Sequence, residues 1–377
     1  MSRTKIPQKT QNLLWAKAGG RCEFPGCNKL LYKDLLTRKQ SNLGLIAHNI
    51  ADSADGPRGD KIKSEEKAKD IDNLLLLCPE HHKIIDDPKN LTEYTVEKLA
   101  LFKKNHEERI ERLTNINESF TTQVVIFGTN IGNQTSPISK KNTYKTISDY
   151  SFYPASDSPI TIGLLMSANK DHETSFWISE KDNLIKQFEK KIKQKIEDNE
   201  IQHLSVFALA PQPLLILLGS LLSDIVPSEI YQLQRSPQTW HWKKSTKKTK
   251  YKILQNDSFD EKNVALVISL SQRINHNNIK KLFDYDIPIW EIYIDNPNCE
   301  YLENKNQVYD FKNTYREIMN QIQYQNGENT KIHVFCAVPA SIAVEMGKSR
   351  FPKTDPPLVL YDYNKKNNGF FKTIEIK

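Results

Sequence analysis

Glycine is sparse in this chain, 13 of 377 residues, and proline reaches only 18. That excludes a fibrous repeat or a low-complexity polymer. Hydrophobic residues, at 38%, are too many for a chain disordered throughout. Cysteine is scarce and odd in number, five in all, which argues against a disulfide framework. No Gly-x4-Gly-Lys-Ser/Thr phosphate loop occurs, which argues against an activity driven by nucleoside triphosphate hydrolysis. Long apolar runs are missing except for Leu204–Ser223, which carries no charge. Pro211-Gln212-Pro213 interrupts it, so a strand, a tight turn and a buried helix are expected there instead of a membrane span. The polar start MSRTKIPQKTQ has no apolar signal core, and a soluble, cytoplasmic protein without membrane attachment is expected.

Acidic side chains are nearly missing from the first forty residues, which hold Glu23 and Asp34 against nine Lys and Arg. That excess of seven equals the whole net charge of +7, so residues 41–377 are neutral. A concentrated basic face suits a polyanion such as nucleic acid, and a solvated basic arm is the plain alternative.

The length exceeds that of a typical single core, and two or three folded units are expected. Residues 1–115 form the first: QKTQNLLWAKAGG predicts a short helix stopped by Gly19-Gly20, and an amphipathic helix follows Thr95 to about Leu113. Residues 116–154 read as a connector containing one strand, VVIFG. From 155 to 377 apolar strands (ITIGLLMSA, LSVFALA, EIYQL, NVALVISLS, IPIWEIYI, KIHVFCAV, PLVLYDY) alternate with amphipathic helices, which predicts α/β layers around a largely parallel sheet. Within this region Phe207, Pro211 and Gly219 recur as Phe335, Pro339 and Gly347, all at an offset of 128. Each set reads as an apolar strand, a proline stop and a helix carrying one glycine. The repeat predicts two similar halves, about 155–300 and 301–377 with shared elements, and a crevice between them.

The strongest chemistry is Cys22-x4-Cys27 with Cys78-x2-His81. Two ligands from each of two knuckles can close a tetrahedral zinc site, with His81 or the adjacent His82 as the fourth ligand. Cys299 and Cys336 stand apart and read as ordinary buried thiols. Around the zinc set lie His48 in LGLIAHNIAD and Asn73 at the head of NLLLLCPEHH.

This order of residues resembles the HNH endonuclease family over about residues 15–90. The resemblance implies an α+β, zinc-stabilised ββα-metal head that cuts double-stranded DNA. It implies that His48 is the general base, Asn73 orients the loop of that base, and His82 binds a catalytic Mg²⁺ or similar divalent metal. Cys22, Cys27, Cys78 and His81 would hold a structural Zn²⁺. Many members carry Asp or His just before the base; here that position is Ala47. The catalytic metal is then left to His82 with water and phosphate, or to a carboxylate such as Asp86 or Asp87.

The stretches HLSVFALAPQPLLILLGSLLSD, EIYQLQRSPQTWHW, VALVISLS and HVFCAVPASIAVEMGKSRFPKTDPPLVLYDY resemble the SAVED domain, an α/β sensor of two CARF/Rossmann-like halves. An HNH head joined to SAVED resembles effector nucleases of the CBASS anti-phage system. The resemblance implies activation by a cyclic di- or trinucleotide and assembly into a homo-oligomer, dimer to tetramer. In open α/β sheets ligands sit beyond the carboxyl ends of strands, near helix N-termini. That rule selects Gln212, Arg235, Ser271 and Ser341, with Trp240 as a base-stacking ring and Lys348 as a phosphate contact. The lysine run at 243–252 reads as a solvated hairpin turn. The rival expectation is a non-catalytic zinc-knuckle DNA-binding regulator with a nucleotide-sensing C-terminal domain.

Overall fold

The computed structural model describes residues 4–114, 120–131, 138–163, 169–255, 262–327 and 330–377. The chain forms two compact units, Met1–Asn117 and Glu118–Lys377.

The first unit contains α1 (Gln8–Lys17), β1 (Leu45–His48), α2 (Lys63–Lys67), β2 (Leu74–Leu77), α3 (Pro79–Asp86) and α4 (Val96–Thr114). Helix α1 ends where Gly19 and Gly20 adopt φ of 60° and 62°, a left-handed stop that costs glycine little. Strands β1 and β2 pair antiparallel with Ala47 opposite Leu75 and His48 opposite Leu74. All four leucines of β2 are buried, in a core with Leu14, Leu31, Ala47, Ile85 and Leu99. Helix α3 starts at once on Pro79, whose missing N–H is harmless in a first turn. The result is a ββα unit.

The second unit holds β3 (Thr121–Gly128), α5 (Lys140–Asp149), β4 (Tyr153–Pro154), β5 (Ile160–Ile162), α6 (Thr174–Phe188), α7 (Gln194–Glu197), β6 (Leu204–Leu209), α8 (Gln212–Leu222) and β7 (Ser228–Tyr231). It continues with β8 (Lys252–Leu254), β9 (Asn263–Ser269), α9 (His276–Lys280), β10 (Ile289–Tyr293), α10 (Lys305–Asn326), β11 (Lys331–Ala337), α11 (Ala340–Lys348), β12 (Leu358–Asn364) and β13 (Gly369–Ile376). One sheet runs β4-β3-β6-β7 with β5 also on β3, all parallel. The other runs β13-β12-β11-β9-β10-β8, parallel in its centre with antiparallel β8 and β13 at its edges. The expected α/β layers with parallel sheets are therefore present. One apolar core joins both sheets through α6, α8, α10 and α11.

The apolar run at 204–223 resolves into β6, a turn at Pro211 and the buried α8. No helix among the described residues is long and apolar enough to cross a membrane. Three expectations need correction. The strand expected to lie in a connector, within 116–154, is β3, between β4 and β6 in the first sheet. The boundary between halves falls between β7 and β8, because β9 and β10 pair with β11 and not with β6. Local patterning carries no information on which distant strand a strand will pair with. Residues 243–251 form no hairpin: Asn304 at the start of α10 donates to the carbonyls of Ser245 and Lys247 and holds the stretch as a strap. Of ITIGLLMSA, residues 164–168 lie outside the described residues.

Candidate functional site

In the head, the first knuckle closes on the start of α3. The donor atoms of Cys22, Cys27, Cys78 and His81 all lie within 4.8 Å of one another. His81 Nδ1 stands 3.1 Å from Cys78 Sγ and 3.8 Å from Cys22 Sγ, close to the ~3.7 Å edge of a tetrahedral zinc–thiolate site. Cys22 and Cys78 are buried, and the Phe24 ring stacks on His81 at 4.0 Å. Three thiols and an imidazole gathered in an apolar pocket are the donor set zinc prefers, and this group can hold a zinc ion. His81, not His82, is the imidazole that joins the thiols. Sequence reasoning missed Glu23, whose carboxylate accepts from Leu76 N–H at 2.5 Å and pins the knuckle to β2. Burial pushes its carboxyl up to about 7.

Next to His81 on α3, His82 and, one turn on, Asp86 line a cleft of about 560 Å³ that His48 also lines. His48 Nε2 lies 3.1 Å from the Ala68 carbonyl. A ring nitrogen facing a carbonyl must carry the proton, so Nδ1 keeps the lone pair. Asn73 is buried, and its amide brackets Ile50 from both sides: Oδ1 accepts from Ile50 N–H at 2.9 Å, and Nδ2 donates to Ile50 O at 2.9 Å. Nδ2 also donates to Lys67 O at 3.1 Å, so one side chain joins the exit of β1 to the end of α2, next to Ala68. His82 Nδ1 stands 3.6 Å from Asp86 Oδ2. Asp87, the other carboxylate considered, instead caps the short turn after α3 by accepting from Lys89 N–H. Ala47 points into the core, 1% exposed, so no side chain there reaches the cleft.

A residue that sequence reasoning missed ties these parts together. The buried Arg58 guanidinium donates to His48 O (3.2 Å), Asn49 O (2.7 Å), Ile85 O (2.6 Å) and Asp86 Oδ1 (2.7 Å). Strand β1 and the end of α3 thus share one donor. Nothing local in the sequence showed that this arginine turns inward.

In the second unit, α8 and α11 begin at the carboxyl ends of β6 and β11. Their N-termini adjoin: Gln212 Nε2 donates to Val338 O at 3.3 Å, and Gln212 Oε1 is buried with no hydrogen-bond partner. Ser341 lies one residue into α11, where its N–H and Oγ–H both donate to Gln232 Oε1, at 3.0 and 2.8 Å. Ser271 follows β9 and donates its N–H to Ala337 O at 2.7 Å. Gln212, Ser271 and Ser341 therefore share the carboxyl edge of the strands, with Gln232 beyond β7 as a fourth member that sequence reasoning missed.

Other expected site residues fall elsewhere. Lys348 closes α11 at the far end from Ser341, with its ammonium 3.5 Å from Ser228 O. Trp240 is 5% exposed and packs edge-on against Phe207 at 5.1 Å, so it is largely a core ring and not a free stacking platform. Arg235 is exposed on the loop after β7. Cys336 is half-buried and its thiol is pushed up by burial, whereas Cys299 is exposed and corrects the expectation of a buried thiol.

Comparison with known proteins bears on the second unit. Residues 184–376 match the sequence profile of the SMODS-associated and fused to various effectors sensor domain, SAVED. Among solved structures, the chain is similar to the Acinetobacter baumannii Cap4 SAVED/CARF-domain containing receptor with the cyclic trinucleotide 2'3'3'-cAAA. The identity is 13% and the TM-score 0.43, over 84% of this chain and 66% of that one. For the same receptor with 3'3'3'-cAAA the identity is 14% and the TM-score 0.42, over 84% and 67%. The Moraxella osloensis Cap4 SAVED/CARF-domain containing receptor gives 14% and 0.39, over 82% and 66%. The match thus spans about two thirds of the length of those receptors. No curated protein matches this chain. The profile covers more than half of the residues, including β6, α8, β7, β9, β11, α11 and β12, and on that ground the chain belongs to the SAVED sensor-domain family.

Proposed function

We propose that this protein is a cyclic-oligonucleotide-activated, metal-dependent endonuclease for double-stranded DNA, of the HNH type, acting in bacterial anti-phage defence. One observation carries the reading: His48, His82 and Asp86 line one cleft on a ββα unit that also carries the Cys22/Cys27/Cys78/His81 group. In this reading His48 Nδ1 takes the proton of the attacking water, and the Ala68 carbonyl stabilises the imidazolium through Nε2–H. Asn73 keeps that base from swinging by fixing Ile50 and Lys67.

His82 and Asp86 would hold the divalent metal. A nitrogen and a carboxylate oxygen 3.6 Å apart fit such an ion, with water and phosphate completing its shell. When bound, it would neutralise charge on the phosphate and the leaving oxygen. The structural zinc would sit on Cys22, Cys27, Cys78 and His81 and fix where α3 begins.

The second unit would bind the activator where the N-termini of α8 and α11 adjoin. Two helix N-termini favour phosphate, and the unpartnered Gln212 Oε1 can accept from a base or ribose. The Acinetobacter baumannii Cap4 receptor named above was solved with cyclic trinucleotides, and we carry that ligand class to this chain. Ligand binding would then promote a homo-oligomer that licenses cutting.

The test is plasmid degradation in Mg²⁺ across a panel of cyclic di- and trinucleotides. Cutting with at least one ligand, lost in His48→Ala with zinc content unchanged, is expected. A protein that shifts DNA but leaves it intact with every ligand would instead be the zinc-knuckle regulator.

A further inference from the structure

The head carries a second surface, beside the cleft, that the proposed chemistry does not use. Residues 33–40 form a turn closed on itself. Asp34 N–H donates to Lys39 O at 2.9 Å, and Arg38 N–H donates to Asp34 O at 3.0 Å. Asp34 Oδ1 accepts from Thr37 N–H and Thr37 Oγ–H, at 2.7 and 2.8 Å. At its tip Leu36 is 93% exposed and Leu35 50%. The Asp34–Thr37 bonds form the turn without either leucine, so neither is needed for its conformation. Lys33, Arg38 and Lys39 flank the tip, and its one acid, Asp34, is already engaged by Thr37.

Behind the turn a groove of about 540 Å³ runs between Trp15, Tyr32 and the amides of Asn12, Gln40 and Asn42. Gln11 lines both this groove and the cleft of His48 and His82, so the two adjoin at that residue. A basic rim, amide side chains and a projecting apolar tip together match a nucleic-acid duplex. Cations meet phosphates, amides read polar edges, and apolar side chains wedge between base steps. An anionic membrane would satisfy the basic tip but would leave the amide groove, and its position beside the cleft, without a role.

We propose that the turn 33–40 and the adjoining groove seat the DNA duplex, with Leu36 inserted against its bases, and so deliver a backbone phosphate to the His48 cleft. The inference rests on the nuclease reading of the head. Its test is binding by the full-length His48→Ala chain, which needs no catalysis, to a labelled mixed-sequence duplex over a salt series. Changing Lys33, Arg38 and Lys39 together to Ala is expected to lower the slope of log affinity against log salt by about 2–3. Leu36→Ala is expected to weaken binding about threefold to tenfold with the slope unchanged. Leu36, Arg38 and Lys39 are exposed and Lys33 is partly exposed, and none is in the buried core, so zinc content and melting temperature should hold in both variants.

Duplex binding equal to the parent in both variants overturns the proposal. So does a parent chain that binds anionic phosphatidylserine vesicles but not the duplex. The nuclease reading fails separately: a parent chain that binds duplex through these residues but leaves it intact with every activator would leave this surface standing.

Discussion

A Cβ placed on Gly219 would stand 1.9 Å from the carbonyl oxygen of Val344, and one placed on Gly347 would stand 1.9 Å from that of Ile216. The next nearest atoms correspond as well, Lys348 N for the first and Ser220 N for the second. Positions 216, 219 and 220 become 344, 347 and 348 at the same offset of 128 seen in the sequence. Helices α8 and α11 therefore meet backbone to backbone as two copies of one element. In an ordinary helix, Gly→Ala gains about 1 kcal/mol. Here the obstacle is backbone, which cannot rotate aside. Gly219→Ala and Gly347→Ala should each cost ~3 kcal/mol or more of second-unit stability in urea unfolding. A gain at either position would refute the close approach.

Removing metal should act on the head alone. Zinc–thiolate binding supplies on the order of 10 kcal/mol to small domains, more than a core as small as that around Leu14 and β2 can replace. Cys78→Ser, or a strong chelator, should abolish the head's thermal transition and its zinc content, with the transition of residues 118–377 retained. Calorimetry with metal analysis reads both.

Arg58 should matter more than its distance from any reacting atom implies. Arg58→Ala leaves three backbone carbonyls and the Asp86 carboxylate without their donor. Cleavage is expected to fall about 10–100-fold, with a raised Mg²⁺ requirement and zinc content unchanged. Arg58→Lys should recover little, because one ammonium cannot replace a fork of donors. An unchanged Mg²⁺ dependence would show that Arg58 supports only the fold.

The second sheet carries a titration of its own. His333 on β11 is held between Asn263 Oδ1 (3.0 Å) and the Tyr361 hydroxyl (3.1 Å), and burial lowers its imidazole to about 4. The folded state binds fewer protons than the unfolded state between about pH 4 and 6.5. That contribution is present above pH 6.5 and is lost as pH falls toward 4. Asp362, raised by burial to about 7, works in the opposite sense over an overlapping range, so the comparison must be differential. His333→Gln should remove ~2 kcal/mol of the acid-side loss, measured by urea unfolding at pH 7 and pH 4.5.

The group that can hold zinc was legible because knuckles are local: Gly20, Gly26 and Pro79 mark the turns, and a tetrahedral site needs few residues. The layered α/β character was legible for the same reason, since strand and helix periods are read within ten residues. Pairing was not. Nothing near VVIFG states that β3 will lie between β4 and β6, and nothing near Val264 states that β9 will pair with β11 instead of β6. The inward turn of Arg58 and the outward turn of Leu36 are likewise invisible, because both depend on what the rest of the head has already filled. Trp240 shows the opposite error: its position past β7 fitted a ligand contact, and Phe207 claimed its ring.

The donors Cys22 and Cys27 lie before residues 28–77, and Cys78 and His81 lie after them. With metal bound, that whole stretch is a closed ring, and it contains Leu36, His48, Arg58 and Asn73. In the proposed reading, substrate grip and proton transfer would thus sit on one loop whose two ends meet at the same metal. On that reading, an oxidant that takes two of the three thiols would release the metal and disarm both together, while the second unit would still bind its activator.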